Sequence, residues 1–373
     1  MKAKRIVIVG GSIGGLFAAV LLHRAGFDVQ VYERSVHGLE GRGAGLVAQR
    51  EVFEIMREVG IEHIARIGVV ARQRIYLDRE GEVIHSQETP QEQLSWDVLF
   101  RSFRERLPPE RYFGGRAITG VTQDGEEAVV HFADGGTVRA DMVIGADGIG
   151  SVVRRAVAGV DSRPSYVGYA TWRGLVAEGD VPAPAARQLF ERFAFYEMPG
   201  SHILGYLVAG PDGAIAKGRR RYNWVWYRRY DDTALNDVLT GADGVRRPFS
   251  LAPGQVRPEI VAGLREDAAR LLPPSFRAAV EAETRPFVHA IFDYATPRMT
   301  SGRIALMGDA AFVARPHTAM GVAKAAGDAF ALRKALVEHE DLAVALAAYA
   351  ADRAPRDEAI VAYGRRLGRS LVA

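Results

Sequence analysis

The stretch that decides the fold reads Arg5-Ile-Val-Ile-Val-Gly-Gly-Ser-Ile-Gly-Gly15, and it is followed by an apolar run and by Val29-Gln-Val-Tyr-Glu33. Residues 5–9 predict a buried β-strand, residues 16–25 predict a helix that ends at Gly26, and residues 29–33 predict the next strand. A glycine-rich turn between a strand and a helix, with an acidic residue ending the second strand, is typical of a dinucleotide-binding βαβ unit. The sequence therefore predicts an α/β fold that begins with a Rossmann-like unit.

Each position of this unit has a physical task. Gly10 permits the tight turn and Gly15 permits close packing of the helix on the strand. The helix N-terminus attracts a pyrophosphate, because its free N–H groups carry partial positive charge. Ser12 replaces the second glycine of the pattern, and its small hydroxyl could contact a phosphate. Glu33 is placed to bind ribose hydroxyls, which favours FAD or NAD over NADP.

The composition excludes several classes of protein. With 373 residues and 48% hydrophobic content, the chain can build a large core in one or two domains. The absence of cysteine excludes disulfides, iron–sulfur clusters and thiolate chemistry. Net charge is only +3, and Arg219-Arg220-Arg221 is the one short basic block, so no nucleic acid partner is expected. No apolar run approaches the ~18 residues of a membrane helix, and the N-terminus does not resemble a signal peptide, so a cytoplasmic protein without membrane association is predicted.

A second strand end carries a carboxylate near the C-terminus. Residues 303–307 predict a buried strand, and Gly308-Asp309 ends it. After Pro316, a run with apolar spacing of three and four begins at Gly321 and predicts a helix. Ligands bind at this edge of open α/β sheets, so the region could hold a polyol and a nucleotide or flavin. An ordinary strand–loop–helix crossover is the alternative for this stretch alone.

A third such stretch lies between the other two. Residues 142–145 predict a buried strand that leads into Ala146-Asp147-Gly148 and on to Arg154. A glycine-rich run at 41–45 is a further candidate for close approach to a ring or ribityl chain, with a simple loop as the alternative. Two strand-end aspartates together with an N-terminal Rossmann-like unit form a more specific pattern than any one of them.

These motifs resemble those of the group A FAD-dependent aromatic hydroxylases, the flavoprotein monooxygenases related to p-hydroxybenzoate hydroxylase. Gly10–Gly15 matches the N-terminal GxGxxG motif, Asp147-Gly148 matches the DG motif, and Gly308-Asp309 matches the GD motif. The loop Arg315-Pro-His-Thr-Ala-Met-Gly321 most resembles dihydroxypyridine hydroxylase-type members. Ala319 and Ala323 depart from the glycine and asparagine that the family pattern has there.

The resemblance implies the p-hydroxybenzoate hydroxylase-like fold: a Rossmann-like FAD-binding domain with an inserted, mainly antiparallel β-sheet substrate domain. We place the first part of the FAD-binding domain at 1–165, the substrate domain at 166–286, and the rest of the FAD-binding domain with C-terminal helices at 287–373. Aromatic residues at strand spacing within 166–286 independently favour a sheet whose face could line an apolar pocket. The C-terminal helical region at 342–368 is expected to break at Pro355.

The resemblance also implies which residues bind cofactor, and it predicts no metal site. Asp309 would contact ribityl or ribose hydroxyls, and the loop from Pro316 to Gly321 would lie beside the isoalloxazine. Asp147 would lie where FAD and the reduced nicotinamide are both handled, and Arg101 would touch the flavin nucleotide. The remaining candidates form the N-terminal nucleotide site, and they are Gly10, Ser12, Ile13, Gly14, Gly15, Glu33 and Arg34.

The family activity is hydroxylation of a small hydroxylated aromatic or pyridine ring with O2 and with NADH or NADPH as co-substrate, through a flavin hydroperoxide. A pocket base that deprotonates a ring hydroxyl would help, because it makes the ring carbon more nucleophilic. His317 is the first candidate, His202 and His289 are others, and Tyr206 is a hydrogen-bonding partner. Arg315 either binds a substrate carboxylate or phenolate or anchors the loop.

Two other functions compete with the monooxygenase. The first is an FAD-dependent reductase or dehydrogenase that uses the same fold without oxygen chemistry. The second is a non-catalytic flavin-binding relative that sequesters an unstable intermediate, which the departures at Ser12, Ala319 and Ala323 leave open. The sequence does not determine the oligomeric state, for which a homodimer is one candidate.

Overall fold

The computed structural model describes residues 5–36, 45–47, 49–124 and 126–371. Most of the glycine-rich run at 41–45 lies outside the described residues, so its predicted approach to a cofactor stays a prediction. Within the described part of the chain, no helix combines the length and the apolar character needed to cross a bilayer.

The strands are β1 Arg5–Val9, β2 Asp28–Tyr32, β3 Gly45–Val47, β4 Val69–Leu77, β5 Val83–Ser95, β6 Tyr112–Phe113, β7 Ile118–Asp124, β8 Glu127–Phe132, β9 Thr137–Ala140, β10 Met142–Gly145, β11 Ser165–Ala177, β12 Arg192–Met198, β13 Ser201–Val208, β14 Arg221–Arg229, β15 Ser250–Leu251, β16 Phe287–Ala295, β17 Thr300–Ser301, β18 Ile304–Leu306 and β19 Phe312–Val313. The helices are α1 Ile13–Arg24, α2 Arg50–Glu58, α3 Trp96–Arg104, α4 Arg154–Ala158, α5 Ala183–Leu189, α6 Asp232–Val238, α7 Pro258–Leu271, α8 Pro274–Ala282, α9 Gly321–Glu338 and α10 Leu342–Leu367.

A six-stranded sheet of order β17-β18-β10-β1-β2-β6 forms the first layer. β1 pairs in parallel with β2 and β10, and β10 pairs in parallel with β18. These strands are continuous apolar runs because both faces of a parallel sheet are covered. On this sheet α1 packs beside α9, and an ideal Cβ on Gly14 would lie 3.4 Å from the Cβ of Ala325. The predicted α/β fold with a Rossmann-like unit is confirmed.

A second, larger sheet has the order β15-β16-β11-β14-β13-β12-β4-β5-β3. Its pairs are antiparallel except for β12 with β4, as predicted for a mainly antiparallel sheet. The strands β3, β4, β5 and β16 lie outside residues 166–286, so the sheet recruits chain from both flanking segments. A separate three-stranded sheet, β7-β8-β9, contacts β1 and β10 of the first layer.

The two faces of the second sheet differ in chemistry. One face buries Trp172, Trp224 and Trp226 against helices α5 to α8. The other, which we call the inner face, is turned towards the first sheet and carries two neighbouring cross-strand rows. In the first row Thr171 is paired with His289 on one side and Tyr227 on the other, and Tyr227 is paired with His202; in the second row Arg173 is paired with Phe287 and Val225.

The predicted break at Pro355 is wrong, because α10 runs through this residue. Proline has no N–H to donate to the preceding turn, which ordinarily interrupts a helix. Here the neighbouring turns are anchored by a tertiary ion pair between Arg353 and Asp328 of α9. Arg353 also donates to Asp357 within α10, and these two residues flank the proline.

Candidate active site

The turn after β1 is a cradle that only glycine fits. Gly10 has φ of 103°, and an ideal Cβ on it would lie 2.4 Å from the carbonyl oxygen of Ala146. A Cβ on Gly15 would lie 1.9 Å from the carbonyl oxygen of Gly10. A side chain at either position would therefore displace the backbone of the turn and would close the approach of a phosphate to the start of α1.

A cavity of about 190 Å³ opens at this turn. It is lined by Val9, Gly10, Ser12, Tyr32, Glu33, Arg34, Arg116, Ile118, Ala146, Asp147, Gly148, Gly150 and Val152. The fold thus brings Gly10, Ser12, Glu33, Arg34 and Asp147 together. Their cofactor roles remain predictions.

The Glu33 carboxylate is held in place by backbone groups. Its Oε2 accepts a hydrogen bond of 2.9 Å from the N–H of Gly11, and its Oε1 accepts one of 2.8 Å from the N–H of Ser35. A carboxylate oxygen can accept more than one hydrogen bond. Glu33 is therefore fixed and still able to accept from a ribose hydroxyl, the role that the sequence predicts.

Asp147 organises the turn that follows β10. Its Oδ1 accepts from the Ser151 hydroxyl at 2.5 Å, and its Oδ2 accepts from the N–H groups of Val152 and Val153 at 2.7 and 3.3 Å. Burial raises the pKa of this carboxyl, and these hydrogen bonds act in the opposite direction.

Arg154 joins the two aspartate turns and was not predicted as a functional residue. Its side chain is only 2% exposed and donates hydrogen bonds of 2.8 Å to the carbonyls of Ile149, Asp309 and Ala310. The guanidinium also lies 4.1 Å from the centroid of the Tyr294 ring. The sequence did contain a sign of this role. Arg154 directly follows the apolar residues Val152 and Val153, and a charged side chain that is buried there needs acceptors.

Asp309 lies at the end of β18, as predicted, and its side chain is exposed. Protein nevertheless surrounds it closely enough that desolvation raises the pKa of its carboxyl, an effect that Lys324 and Arg154 oppose. Arg101, on α3, instead donates to the carbonyl of Pro211 at 2.8 Å. Whether Arg101 touches a nucleotide stays a prediction.

The loop from Pro316 to Gly321 leads into the N-terminus of α9. Ala319 adopts the left-handed conformation with φ of 52°, which explains why the family pattern has glycine at this position. The Gln49 side-chain amide donates to the Ala319 carbonyl at 2.9 Å, which ties the loop to the start of α2. Gly321 is the first residue of α9.

A chain of hydrogen bonds connects this loop to the second sheet. Arg315 forms a bidentate pair with Asp293 at 2.7 and 2.8 Å, and its Nη1 donates to the Tyr169 hydroxyl at 3.1 Å. The same hydroxyl lies 2.8 Å from Nε2 of His317. Of the two roles weighed for Arg315, these contacts support the anchoring of the loop.

Two of the three predicted candidate bases, His202 and His317, lie together. The third, His289 of strand β16, is paired with Thr171 of the neighbouring strand β11. His317 stacks on Tyr227 at 4.5 Å between ring centroids, and His202 lies 4.2 Å from Tyr227 and 5.8 Å from His317. Tyr206 lies further along the inner face, against Phe193 at 4.7 Å. The structure thus brings His202 and His317 together around a tyrosine that sequence analysis did not select.

Burial sets the protonation of these groups. It lowers the pKa of His317 to about 3 and of His202 to about 4, and His202 and Arg315 further depress that of His317. Burial raises the pKa of Tyr169 and of Tyr206 to about 12. At neutral pH the imidazoles are therefore uncharged and the phenols keep their protons.

Tyr169 and Asp293 were missed because they are distant in sequence from the loop that they contact. The alternation of β11 and β16 indicated which residues share a face, but only the packing of the two sheets decides which of them meets the loop.

The fit of the site to FAD rests on three features: a glycine cradle that a Cβ would fill, a cavity with a fixed glutamate and two arginines, and an exposed aspartate at a second strand end. Together with the parallel sheet, they define an FAD-binding oxidoreductase.

Comparison with known proteins makes this more specific. Residues 8–54 match a family model described as an NAD(P)-binding Rossmann-like domain, and residues 166–293 and 266–363 match models described as FAD binding domain-like and FAD binding domain. The chain is 35% identical over 339 residues to the 2,6-dihydroxypyridine 3-monooxygenase of Paenarthrobacter nicotinovorans, covering 91% of this chain and 84% of the relative. It is 28% identical to the 6-hydroxynicotinate 3-monooxygenase of Pseudomonas fluorescens, covering 95% of this chain and 89% of the relative.

A solved structure agrees with the sequence comparisons. The 2,6-dihydroxypyridine-3-hydroxylase from Arthrobacter nicotinovorans superposes with a TM-score of 0.92 at 33% identity, covering 99% of this chain and 93% of that chain. The chain belongs to the group A FAD-dependent aromatic hydroxylases. It is a flavoprotein monooxygenase with FAD as its cofactor and NAD(P)H as co-substrate, as the sequence predicts.

Proposed function

We propose that this monooxygenase hydroxylates a small hydroxylated pyridine ring of the 2,6-dihydroxypyridine type. The observation that carries the proposal is the loop Arg315-Pro-His-Thr-Ala-Met-Gly321, whose His317 stacks on Tyr227 of the inner face. The full-length similarity to a 2,6-dihydroxypyridine 3-monooxygenase supports the same substrate class. The planar rings at this face suit a small planar heterocycle better than a flexible ligand.

We assign cofactor binding as the sequence predicts. Gly10, Ser12, Ile13, Gly14 and Gly15 would hold the pyrophosphate at the start of α1. Glu33 and Arg34 would hold the adenosine end.

The strand ends and α9 would hold the remainder of the cofactor. Asp309 would contact ribityl or ribose hydroxyls, and Asp147 would lie where FAD and the reduced nicotinamide are both handled. Pro316 to Gly321 would adjoin the ring system, with Arg101 at the nucleotide. Bound FAD supplies the redox chemistry, in which NADH or NADPH provides electrons and O2 provides the transferred oxygen.

The residues of the chain orient the substrate ring and exclude water. The Tyr169 oxygen accepts from Arg315 and directs its own hydrogen to Nε2 of His317, which leaves the imidazole hydrogen on Nδ1. In this arrangement His317 offers a donor to a ligand, and the buried ring of Tyr227 supports the His317 imidazole by stacking. His202 and Tyr206 remain candidates for further polar contacts with the ring.

The other partners follow from the same considerations. The relatives are monooxygenases, which supports this function over a reductase or a sequestering flavoprotein. Small net charge supports action without nucleic acid or membrane, and the need for reduced nicotinamide supports a cytoplasmic location. A homodimer stays a prediction that sedimentation velocity would check.

The test is oxidation of NADH and NADPH by the purified FAD-loaded protein with hydroxypyridines, hydroxybenzoates and phenols, paired with product mass. We expect 2,6-dihydroxypyridine to accelerate oxidation strongly and to gain one oxygen atom. If a benzenoid ring gains the oxygen and the pyridines do not, the substrate class is wrong. If no ligand leads to flavin reduction, a sequestering role replaces catalysis.

A further inference from the structure

Arg173 is a half-buried arginine without a protein anion. Its Nε is fully buried and makes no hydrogen bond, and no other contact of its guanidinium with an acceptor occurs among the described residues. Arg74, also on this face, has a buried Nε without a partner as well, but its guanidinium donates to Gln91 at 3.4 Å and lies 5.5 Å from the ring centroids of Phe193 and Phe195. A desolvated cation with no anion is unfavourable in a folded protein. Such a residue therefore marks a ligand site.

The strand register places Arg173 beside the ring-stacking residues. Thr171 is paired directly with Tyr227 and His289, and Arg173 follows it by two residues on the same face. Arg173 is therefore one row from Tyr227, on which His317 stacks. Its charge acts on groups on both sides. Burial raises the pKa of Tyr206 and of Tyr227, and Arg173 opposes this rise; burial lowers the pKa of His289, and Arg173 adds to that lowering.

Among the described residues, no acidic group bonds to Arg173. Burial keeps His202, His289 and His317 uncharged and keeps the phenols of Tyr206 and Tyr227 protonated. Two acidic groups are described along the neighbouring strand segment. Glu283 accepts from the N–H groups of Leu175 and Arg285 at 2.6 and 2.7 Å, and Asp293 forms a bidentate pair with Arg315. Neither carboxylate bonds to Arg173, so its guanidinium has no anionic partner among the described residues.

We propose that Arg173 binds the ionised hydroxyl of the substrate ring, so that the enzyme takes its hydroxypyridine as the oxyanion. This inference rests on the proposed function and names the residue that recognises the substrate's charge. The proton leaves the ring hydroxyl for solvent before or during binding, and Arg173 stabilises the oxygen that remains. The oxyanion donates electron density into the ring and makes its carbon atoms more nucleophilic. Selection of the anion therefore replaces a dedicated base in the pocket.

The experiment compares two probes on the FAD-loaded protein at pH 8, with binding followed by the flavin absorbance change. The probes are 2,6-dihydroxypyridine and 2,6-diaminopyridine, which has the same heavy-atom outline but no acidic hydroxyl. Arg173→Met is expected to weaken binding of the dihydroxy probe by about 10- to 100-fold, the loss expected for a charge-assisted hydrogen bond. Binding of the diamino probe should change by less than about threefold.

Two further variants separate charge from packing. Arg173→Lys keeps the charge and should recover part of the lost affinity, although it lacks the planar fork of arginine. Arg74→Met makes the same replacement elsewhere on this face and should leave the affinity for both probes unchanged. The ultraviolet spectrum of the bound dihydroxy probe should show the anion in the wild type and a larger neutral fraction in Arg173→Met.

The outcomes distinguish this inference from the proposed function. Equal loss of both probes in Arg173→Met, or no loss of either, would overturn the role of Arg173 while hydroxylation by the wild type stands. If the wild type neither binds nor hydroxylates the dihydroxy probe, the proposed substrate class fails, and the inference fails with it.

Discussion

Arg315 and Arg365 share one carboxylate in different surroundings. Asp293 accepts from Arg315, whose side chain is 9% exposed, and from Nε of Arg365, whose side chain is 53% exposed, at 3.3 Å. A buried ion pair is costly to break because it leaves an uncompensated charge, whereas an exposed pair is screened by water. The two arginines therefore contribute differently to the loop that carries His317.

Arg315→Met is expected to lower the free energy of unfolding by about 3–5 kcal/mol, because Asp293 and Tyr169 lose a buried partner. It should also lower kcat, since His317 is held through Tyr169. Arg365→Met is the matched control and should change stability by at most about 0.5 kcal/mol. Urea unfolding and steady-state kinetics check both effects, and similar losses in the two variants would contradict the anchoring role of Arg315.

Individual residues were predictable where a motif names them. His317 and Arg315 belong to one short loop whose pattern is readable, and Glu33 ends a strand at the expected place. Arg173 was not predicted as a functional residue, because its role is inferred from the lack of an anionic partner for its side chain. That lack can be seen only once the residues around it in the folded protein are known. Tyr227 was visible only as one of several aromatic residues at strand spacing.

The helices α9 and α10 are joined by a buried ionic cluster of Lys324, Asp328, Arg353 and Asp357. Asp328 accepts from Arg353 at 2.7 Å and from the N–H of Gly308 at 2.9 Å, so the cluster also holds the turn that carries Asp309. Burial alone would raise the pKa of Asp328, but Lys324 and Arg353 hold it below its ordinary value. Burial and the charge of Asp328 raise the pKa of Asp357 to about 8.

Asp328→Asn is expected to destabilise the protein by about 3–5 kcal/mol and to weaken FAD retention, because two buried cations and the Gly308 turn lose their anion. Asp357→Asn should cost less than about 1 kcal/mol at pH 7, where the protonated carboxyl already resembles the amide.

The pH dependence gives a second readout. The pKa of Asp357 is higher in the folded than in the unfolded state, so its contribution favours folding at low pH and is lost as pH rises towards 8. The unfolding free energy of Asp357→Asn should therefore depend less on pH between about 5 and 8 than that of the wild type. Chemical denaturation across this range measures it, and parallel curves would contradict the raised pKa.

Secondary elements were predictable where their signal is local. The βαβ unit and α9 follow from apolar periodicity and glycine positions. The recruitment of β3, β4 and β5 into the second sheet was not predictable, because strand pairing depends on contacts between distant segments. The predicted helix break at Pro355 was wrong for the same reason. The contact of Arg353 with Asp328 of α9, which anchors the helix beside the proline, joins segments that are distant in sequence.

Arg154 bonds two segments of the chain that lie far apart in sequence and so joins the two aspartate turns. Arg154→Met should lower the unfolding free energy by about 2–4 kcal/mol, because several buried carbonyls lose their donor. It should also raise the Kd for FAD, since both turns are placed to contact the cofactor. Arg155→Met, at the exposed neighbouring position, is the matched control. Thermal unfolding and FAD titration measure both, and unchanged FAD affinity in Arg154→Met would show that the turns hold their shape without it.

The architecture as a whole was predictable because three motifs in a fixed order define it. The residues that face the substrate were less predictable, because the inner face combines strands such as β11 and β16, which are more than a hundred residues apart in sequence. In the sequence, the aromatic residues of this sheet follow the same alternating pattern. Only the strand register shows which of them lie on the inner face and which pack against helices α5 to α8.

The strand order of the first sheet has a consequence for synthesis of the protein. β1 and α1 are made before the elements that cover them, because β10 and α9 come from residues 142–145 and 321–338. At about 5–20 residues per second, the ribosome needs roughly 15–60 s between α1 and α9. During this time the side of α1 that packs on α9 stays uncovered on the nascent chain. The edge of β1 that pairs with β10 is open for a shorter time, until roughly 6–24 s after α1 is made. We therefore expect the yield of native protein in cells to depend on chaperones that shield the N-terminal unit until α9 has been made.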